Sequence, residues 1–510
     1  MNAAVAALPA GFRIAVDPAT RRVDDGATLI GGFPLRIVRL SPAGRRLVDR
    51  WAGGAPVDEA GGAQRLARRL LDAGLAHPRP ADAPPPWAPV DVAAVVPIHG
   101  DARDLDRTLS TLGPVGETLV VDDASPDAGA IAAVAAAHGA RLLRRLDRNV
   151  GPAAARQVGW HASTLPVVAF IDADVEPTDG WLEPLLAHFA DPRVGAVAPR
   201  VVPAARPGTP AVLAAYEARR SSLDLGPLES PVRPRARVPY VPTAALVVRR
   251  DALETVGGFD EGLRVGEDVD LVWRLDRAGW VVRYEPSARV RHPMRPTWSA
   301  WARQRYRYGT SAPALARRHG DAIAPLTVSG WSAAAWALVV AGSPAAGVAV
   351  GAGTTAALVP KLRSLRHPVT EALRLAGLGN LFAGRQVADA LRRPWWPLTL
   401  ALFLGWRRTR PALLAAAVVP ALVEHREQRP DLGIAAFTAL RLADDLAYGT
   451  GVWAGCITRR DLTALLPAFA GRFPPPDDDN TGEDHEGRQG NPPRLPGLVP
   501  RPGEGRQPVR

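Results

Sequence analysis

The middle of the chain alternates short apolar runs with segments of helical spacing. Residues 92–98, 118–121 and 167–171 contain no charged side chain, and the segment 104–112 has the spacing of a helix. Continuous apolar strands separated by helices are typical of a mostly parallel sheet that is covered on both faces. The pattern therefore predicts an α/β fold for this part of the chain.

The first 80 residues show a different pattern, which predicts a small separate unit. Apolar stretches at 12–16 and 27–40 flank the polar, turn-prone segment 17–26, and this arrangement indicates a β-hairpin or ribbon. Ser41 is placed to cap a helix that runs through Trp51.

A second helix is expected in the same unit, from about residue 62 to residue 75, because its leucines fall on one stripe. Six prolines follow between residues 78 and 89. Proline is excluded from helix interiors and central strands, so this segment is expected to be a linker.

The last third of the chain is apolar and basic. Residues 322–360 carry no charge, but the two halves of this stretch are each shorter than the roughly 20 residues that a spanning helix needs. Two further apolar runs lie at 395–406 and 412–423. A re-entrant hairpin, one kinked span, interfacial helices or a soluble helical bundle all fit this pattern, and we favour contact with a membrane.

Length and composition narrow the class of protein. The 510 residues are enough for two or three domains. A hydrophobic fraction of 47% with a mean hydropathy near zero excludes both a mostly disordered polymer and a multi-span transporter. The single cysteine, Cys456, excludes an internal disulfide framework, and Met1 opens no secretory leader, so a cytoplasmic location is expected.

These observations divide the chain into five expected segments. They are an N-terminal unit (1–80), a linker (81–90), an α/β domain (91–320), an apolar and basic helical region (321–473) and a disordered tail rich in proline, glycine and charge (474–510).

The net charge of +11 is concentrated in two places. Between Glu285 and Asp321 there are eight arginines and no acid, and residues 361–410 hold ten basic residues against two acidic ones. The first cluster suits a phosphorylated small molecule and the second suits anionic lipid. Nucleic-acid binding is disfavoured because the arginines do not lie along an aromatic-studded groove.

Carboxylates follow the apolar runs where ligands of such sheets bind. Asp172 and Asp174 come directly after residues 167–171, and carboxylates at this spacing suit Mg²⁺ or Mn²⁺ together with substrate phosphates. Asp122 and Asp123 follow the run 118–121 in the same way, either as nucleoside contacts or as turn formers.

Two helix starts add further candidate residues. Arg156 lies in the first turns of a helix that follows Gly151, which suits an anionic or nucleotide group, although a plain helix start fits equally well. Glu267 and Asp268 open another helix after Gly266. They are either an electrostatic cap or, if one of them faces a cleft, a general base.

The ordered motifs resemble glycosyltransferase family 2. The resemblance rests on five segments between residues 91 and 292, in addition to the apolar strand Val95-Val96-Pro97-Ile98-His99. These segments are Val121-Asp122-Asp123-Ala124-Ser125, Asn149 to Arg156, Asp172-Ala173-Asp174, Gly257-Gly258-Phe259-Asp260 and Glu267-Asp268. The resemblance implies that this protein is an inverting enzyme with a GT-A nucleotide-sugar-binding fold. It also implies that Asp122 or Asp123 contacts the nucleoside, Asp172 the ribose or metal and Asp174 the metal, and that Asp268 is the base.

The basic segment adds a second resemblance. Gln304-Arg305-Tyr306-Arg307-Tyr308 is similar to the Gln-x-x-Arg-Trp motif of processive synthases in the same family, with Tyr308 where tryptophan is usual. Gln304, Arg307 and Tyr308 are therefore expected at the diphosphate and the acceptor sugar. His292 is a further candidate metal ligand.

More narrowly, the N-terminal unit and the stretch from Val238 to Arg250 resemble the glycosyltransferases of the mycofactocin system, and the first 80 residues resemble a PqqD-like, winged-helix-like peptide-recognition domain. That resemblance implies transfer of a hexose, with UDP-glucose as the expected donor, to a hydroxyl of a peptide-derived redox cofactor precursor, with a short β-glucan as an extended product. The alternatives are a membrane-associated polysaccharide synthase of the same superfamily and a non-catalytic peptide-binding scaffold.

Overall fold

The structure is a computed structural model that describes residues 7–80, 85–469 and 477–478. The N-terminal unit has its own apolar core, which includes Leu66 and Leu70. Ser41 caps α1 as predicted, because its hydroxyl accepts a hydrogen bond from the amide of Gly44 at 3.0 Å. The elements of this unit are β1 (Arg13–Val16), β2 (Arg21–Val23), β3 (Thr28–Gly31), β4 (Arg36–Arg39), α1 (Pro42–Ala52), α2 (Gly61–Ala73) and β5 (Ala76–Arg79).

The hairpin predicted between residues 12–16 and 27–40 is wrong. β1 pairs with β5, from the other end of the unit, in an antiparallel two-stranded sheet. Residues 27–40 instead fold back on themselves as β3 and β4, and the segment expected as a turn contributes β2 at the edge of that sheet. The apolar pattern located the strands, but it carries no information about which distant strand becomes a partner.

The α/β domain follows the N-terminal unit and contains the central sheet. Its strands are β6 (Val92–Ile98), β7 (Glu117–Asp122), β8 (Arg141–Arg145), β9 (Val167–Ile171), β10 (Glu176–Pro177), β11 (Val194–Ala204), β12 (Ser230–Pro231), β13 (Ala245–Arg249) and β14 (Val281–Pro293). Its helices are α3 (Ala102–Thr111), α4 (Ala128–Ala137), α5 (Pro152–His161), α6 (Glu183–Ala187), α7 (Ala211–Arg220), α8 (Arg250–Val256), α9 (Glu267–Arg277), α10 (Trp298–Thr310) and α11 (Ala312–His319).

The central sheet has the order β8-β7-β6-β9-β13-β11-β14-β10, with β12 paired to β14. β6, β7, β8 and β9 are mutually parallel, which confirms the prediction for the apolar runs. β13 is antiparallel to both β9 and β11, so the sheet is mixed. Apolar clusters cover both faces, and the carboxyl ends of β6, β7 and β9 lie at one edge.

The C-terminal region is a group of helices packed on the α/β domain. Its elements are β15 (Thr327–Val328), α12 (Gly330–Val340), α13 (Pro344–Leu358), α14 (Pro368–Arg392), α15 (Trp396–Gly405), α16 (Arg410–Gln428), α17 (Ile434–Arg459), β16 (Ala468–Phe469) and β17 (Asp477–Asp478). Among the described residues, the 19-residue segment Pro344–Leu362 alone has the length and hydropathy to cross a membrane. Apart from β17, which pairs with β4, the tail expected from residue 474 onward lies outside the described residues, as do residues 81–84 of the expected linker.

Buried ion pairs attach the N-terminal unit to the α/β domain. Arg68 on α2 makes a bidentate contact with Asp191, at 2.6 and 3.0 Å, and both side chains are almost fully buried. Arg237 makes a second bidentate contact with Asp17 at 2.8 and 3.1 Å. His77 completes this junction, since its Nε2 lies 2.6 Å from a carboxylate oxygen of Asp17.

Arg68→Met is expected to destabilise the protein by about 3 kcal/mol, because it leaves the carboxylate of Asp191 buried without a cation. Arg50→Met is the matched control, since Arg50 makes the same bidentate contact with Asp58 on the surface. The control should cost less than about 1 kcal/mol. Thermal unfolding of both variants checks this difference, and equal midpoints would contradict it.

Candidate functional site

A large cavity opens at the carboxyl edge of the parallel strands. Its volume is about 1080 Å³, which exceeds the several hundred Å³ that one small ligand usually occupies. The α/β domain, including α10, supplies one part of its wall, and α17 and Arg393, which follows α14, supply another. The cavity therefore has room for a donor and an acceptor together.

The structure brings nearly all predicted site residues to this cavity. The predicted residues that line it are Asp123, Arg156, Asp172, Asp174, Glu267, Asp268, His292, Gln304, Arg307 and Tyr308. Asp122 is not among the lining residues. Its buried carboxylate accepts a hydrogen bond from the amide of Ser125 at 2.7 Å, which is the turn-forming geometry considered for it from the sequence.

Asp123 connects the end of β7 to the start of α5. Its two carboxylate oxygens accept hydrogen bonds from the amides of Val150 and Gly151, at 2.8 and 2.9 Å. Gly151 has a φ of 100°, a conformation that favours glycine, and α5 begins directly after it. The same aspartate thus faces the cavity and fixes the loop that positions Arg156.

Arg156 is the central cation of the site. It is 3% exposed, and its guanidinium donates to Asp172 at 2.5 Å and to Glu267 at 2.9 Å. Burial opposes its charge, but the two carboxylates outweigh this effect and raise the pKa of Arg156 above its ordinary value. Arg156 therefore joins the end of β9 to the start of α9 as a permanent positive charge.

Asp268 occupies the first turn of α9, beside this cation. Gly266 begins the helix with a φ of 82°, and an added Cβ would lie 3.1 Å from side-chain carbons of Leu315 and Ser311. Burial, and then the negative charge of Glu267, raise the pKa of Asp268 to about 7. A carboxylate with a pKa near neutrality can accept a proton from a hydroxyl at physiological pH.

Asp174 and His292 form a second pair on the cavity wall. The Nε2 atom of His292 lies 3.5 Å from a carboxylate oxygen of Asp174, and its Nδ1 lies 3.0 Å from the carbonyl of Pro293. A proton on Nδ1 donates to that carbonyl and leaves the lone pair of Nε2 facing Asp174, as in many metal-binding histidines.

A divalent cation fits this pair only with help from a substrate. Within residues 7–80, 85–469 and 477–478, no three His, Cys, Asp or Glu side chains are grouped closely enough to hold a metal by themselves. Mg²⁺ and Mn²⁺ at nucleotide sites use one or two protein ligands and complete their coordination with phosphate oxygens and water. Asp174 and His292 match that donor set, whereas Asp172 is already paired with Arg156.

Helix α10 carries the second predicted motif. The side-chain amide of Gln304 donates to the hydroxyl of Tyr308 at 3.0 Å, which ties the two residues together across one turn. Arg307 is exposed on the cavity wall, and its guanidinium has no partner among the described residues. Arg305, within the same motif, is instead buried and donates to Glu217 and Asp444.

Several cavity residues were not found from the sequence. Tyr240 lies in a stretch that the family resemblance had drawn attention to, but no chemical role was assigned to it there. Arg393 directly follows α14, and Tyr448 is on α17. No local signal marks either of them, because their place in the cavity depends on the packing of helices that are distant in sequence.

Comparison with known proteins places the chain in a family. The sequence model described as "Glycosyl transferase family group 2" matches residues 167–419. The pre-mycofactocin glycosyltransferase of Mycobacterium tuberculosis (strain H37Rv) is 41% identical over 470 residues, which cover 90% of this chain and 98% of that protein. The human polypeptide N-acetylgalactosaminyltransferase 15 is 31% identical over 196 residues, which cover 34% of this chain and 30% of that protein.

Among solved structures, the mannosyltransferase PcManGT from Pyrobaculum calidifontis in complex with GDP-Man and Mn²⁺ is similar at 20% identity and a TM-score of 0.40. The match covers 74% of this chain and 92% of that chain. The near full-length identity to the mycobacterial protein carries the assignment. The chain belongs to glycosyltransferase family 2, and within it to the group that contains the pre-mycofactocin glycosyltransferases.

Proposed function

We propose that this protein is a metal-dependent, inverting hexosyltransferase. It transfers a sugar, with glucose as the expected hexose, from a nucleoside diphosphate donor to a hydroxyl of a peptide-derived redox cofactor precursor in mycofactocin biosynthesis. The observation that carries the proposal is Asp268, a carboxylate with a pKa near 7 that shares one cavity with the Asp174–His292 pair and the Arg156 cluster. The near full-length similarity to a pre-mycofactocin glycosyltransferase supports the choice of acceptor.

The reaction is a single displacement. The acceptor oxygen attacks the anomeric carbon, Asp268 takes the hydroxyl proton, and the bond from that carbon to the diphosphate breaks with its electron pair going to the diphosphate. Asp174 and His292 would hold a divalent cation, which neutralises charge on the diphosphate when bound. Arg307 is free to contact the departing phosphates. Asp123 would contact the nucleoside through the lone pairs that its bonds to the amides of Val150 and Gly151 leave unused.

The site favours a catalyst over a non-catalytic scaffold or a polysaccharide synthase. A scaffold has no use for a partly buried acid whose pKa is raised close to neutrality. A secreting synthase needs enough spanning helices to form a channel, and one segment of suitable length and hydropathy occurs in the described residues. The N-terminal unit is proposed to bind the precursor peptide as PqqD-like domains do, by pairing with an exposed strand.

Purified protein incubated with UDP-glucose, Mn²⁺ and the matured peptide product is expected to add hexose increments to that product, measured by mass spectrometry. Asp268→Asn should lower the rate at least about 100-fold, because an amide cannot accept the proton. Asp251→Asn, an exposed acid on α8, is the control and should retain full activity. Failure of the wild-type protein to add hexose from any common nucleotide sugar would overturn the proposal.

The pH dependence of kcat/KM should show an acidic limb with a midpoint near pH 7, where Asp268 loses its proton. Activity is present above this pKa and falls about tenfold per pH unit below it, since only the ionised form is a base. Glu267→Gln removes one cause of the raised pKa, so its midpoint should move to lower pH. An unchanged midpoint in this variant would show that Asp268 does not control the limb.

We also propose that helices α12–α16 lie on the cytoplasmic face of an anionic membrane. α15 has no buried residue, and several apolar side chains on α12, α13 and α15 are 56 to 70% exposed, namely Trp331, Val348, Leu398 and Leu404. Arg407 and Arg408 follow α15 directly, are exposed, and have no ion-pair partner within the described part of the chain. Apolar surface beside unpaired cations is complementary to a leaflet that contains anionic lipid.

Flotation should recover the protein with vesicles of phosphatidylcholine and phosphatidylserine, and recover less of it with phosphatidylcholine alone. Leu398→Glu combined with Leu404→Glu should reduce the bound fraction at least about tenfold, because two side chains lose their apolar burial in lipid. Leu228→Glu, which alters an equally exposed leucine in the α/β domain, should bind like the wild type. If neither kind of vesicle recovered the protein, the membrane proposal would be overturned in favour of a soluble helical bundle.

A further inference from the structure

Three of the six tyrosines of the chain line the large cavity. They come from separate parts of the fold. Tyr240 lies in the loop before β13, Tyr308 is on α10, and Tyr448 is on α17. Asp268 lines the same cavity, so these phenol rings share one space with the proposed base.

The tyrosines differ in whether their hydroxyl groups have hydrogen-bond partners within the protein. The hydroxyl of Tyr308 accepts a hydrogen bond from Gln304. Outside the cavity, Tyr216 donates to Asp444 and Tyr284 donates to the carbonyl of Gly226.

By contrast, the hydroxyls of Tyr240 and Tyr448 have no hydrogen-bond partner in the described protein, although both side chains are half-buried. Neither hydroxyl is among the buried polar atoms that lack a partner, and both side chains line the cavity, so these two hydroxyls are available to a ligand.

Tyr240 lies close to the proposed base. Burial raises its pKa above the ordinary value, and the negative charge of Asp268 adds to this increase. The phenols of Tyr448 and Tyr308 are close enough to contribute in the same direction. Tyr240, Tyr448 and Asp268 therefore line one cavity, in which an acceptor hydroxyl would have to reach Asp268.

Close packing of two helices fixes the backbone of Tyr448. A Cβ added to Gly309 on α10 would lie 2.1 Å from the carbonyl oxygen of Tyr448, and one added to Gly451 would lie 2.0 Å from the carbonyl oxygen of Tyr306. Glycine at both positions thus permits α10 and α17 to cross in direct backbone contact. The tyrosine ring is held at the cavity by a rigid helix crossing instead of a loop.

Charged groups fix the same segment from the other side. Asp444 and Asp445, one turn before Tyr448, lie 3.1 Å from Arg305 and 3.4 Å from Arg393 respectively. The guanidinium of Arg393 also lies over the ring of Tyr448, 4.1 Å from its centre. One face of this ring is therefore covered, and its hydroxyl remains available on the cavity side.

We propose that Tyr240 and Tyr448, with Arg393 stacked behind Tyr448, form the subsite that receives the ring of the acceptor. The ligand class is an uncharged, hydroxyl-bearing aromatic or pyranose ring, which packs against the phenols and hydrogen-bonds with their hydroxyls. This inference rests on the proposed transferase function and deepens it. It gives the C-terminal helices a direct part in choosing the acceptor, in addition to any contact with lipid.

The test separates acceptor binding from donor binding. Steady-state kinetics with UDP-glucose and the matured peptide product give KM for each substrate, and hydrolysis of UDP-glucose without acceptor reports the donor site alone. Tyr448→Ala should raise the acceptor KM about tenfold, while donor KM and donor hydrolysis stay within about twofold of the wild type. Tyr448→Phe and Tyr240→Phe keep the ring and should each raise the acceptor KM by a smaller factor.

Tyr306→Phe is the control, because Tyr306 is exposed on α10 and does not line the cavity. Its kinetic constants should match those of the wild type. An acceptor KM within twofold of the wild type in both Tyr448→Ala and Tyr240→Phe would overturn the subsite, as would an equal rise in donor KM. Sugar transfer absent from the wild-type protein would instead overturn the proposed function, and the subsite with it.

Discussion

The pairing of Arg156 with Asp172 and Glu267 is the interaction on which the site depends. It joins the carboxyl end of β9 to the first turn of α9, so it sets the position of Asp268 relative to the sheet edge. A buried guanidinium is costly in isolation, and carboxylates that lie close to a third acid repel it. The charges of Arg156, Asp172 and Glu267 stabilise one another. Asp268 is the acid of this group whose pKa is raised to near neutrality.

The cavity is completed by a part of the chain that the catalytic motifs do not reach. α17 crosses α10 in backbone contact at Gly309 and Gly451, and the buried Arg305–Asp444 pair links the same two helices. Arg305 belongs to the segment that resembles the Gln-x-x-Arg-Trp motif, yet its role here is to anchor α17. The α/β domain and the C-terminal helices therefore line one cavity, and the same helical region presents apolar side chains on its outside.

The sequence predicted the elements whose signals are local. The cap at Ser41, the parallel strands that precede Asp123 and Asp172, and the glycine-flanked start of α9 all follow from short patterns of residue type. Long-range pairing was not predictable in this way. β1 joins β5 from the far end of its unit. Tyr448 reaches the cavity through the packing of α17 against α10, which is distant in sequence. Asp122 and Asp123 are adjacent and of the same residue type, yet only Asp123 of the two lines the cavity, and the carboxylate of Asp122 accepts a hydrogen bond from the amide of Ser125.

The central claim is a single displacement with Asp268 as the base, and the anomeric configuration of the product tests it most directly. Proton NMR of the first hexose added from UDP-α-glucose distinguishes the two outcomes by the coupling between H1 and H2. The account predicts a β-linked sugar, because one attack from the face opposite the diphosphate inverts the anomeric carbon. An α-linked product would contradict it, since retention requires a different chemical route from the one that this site supports.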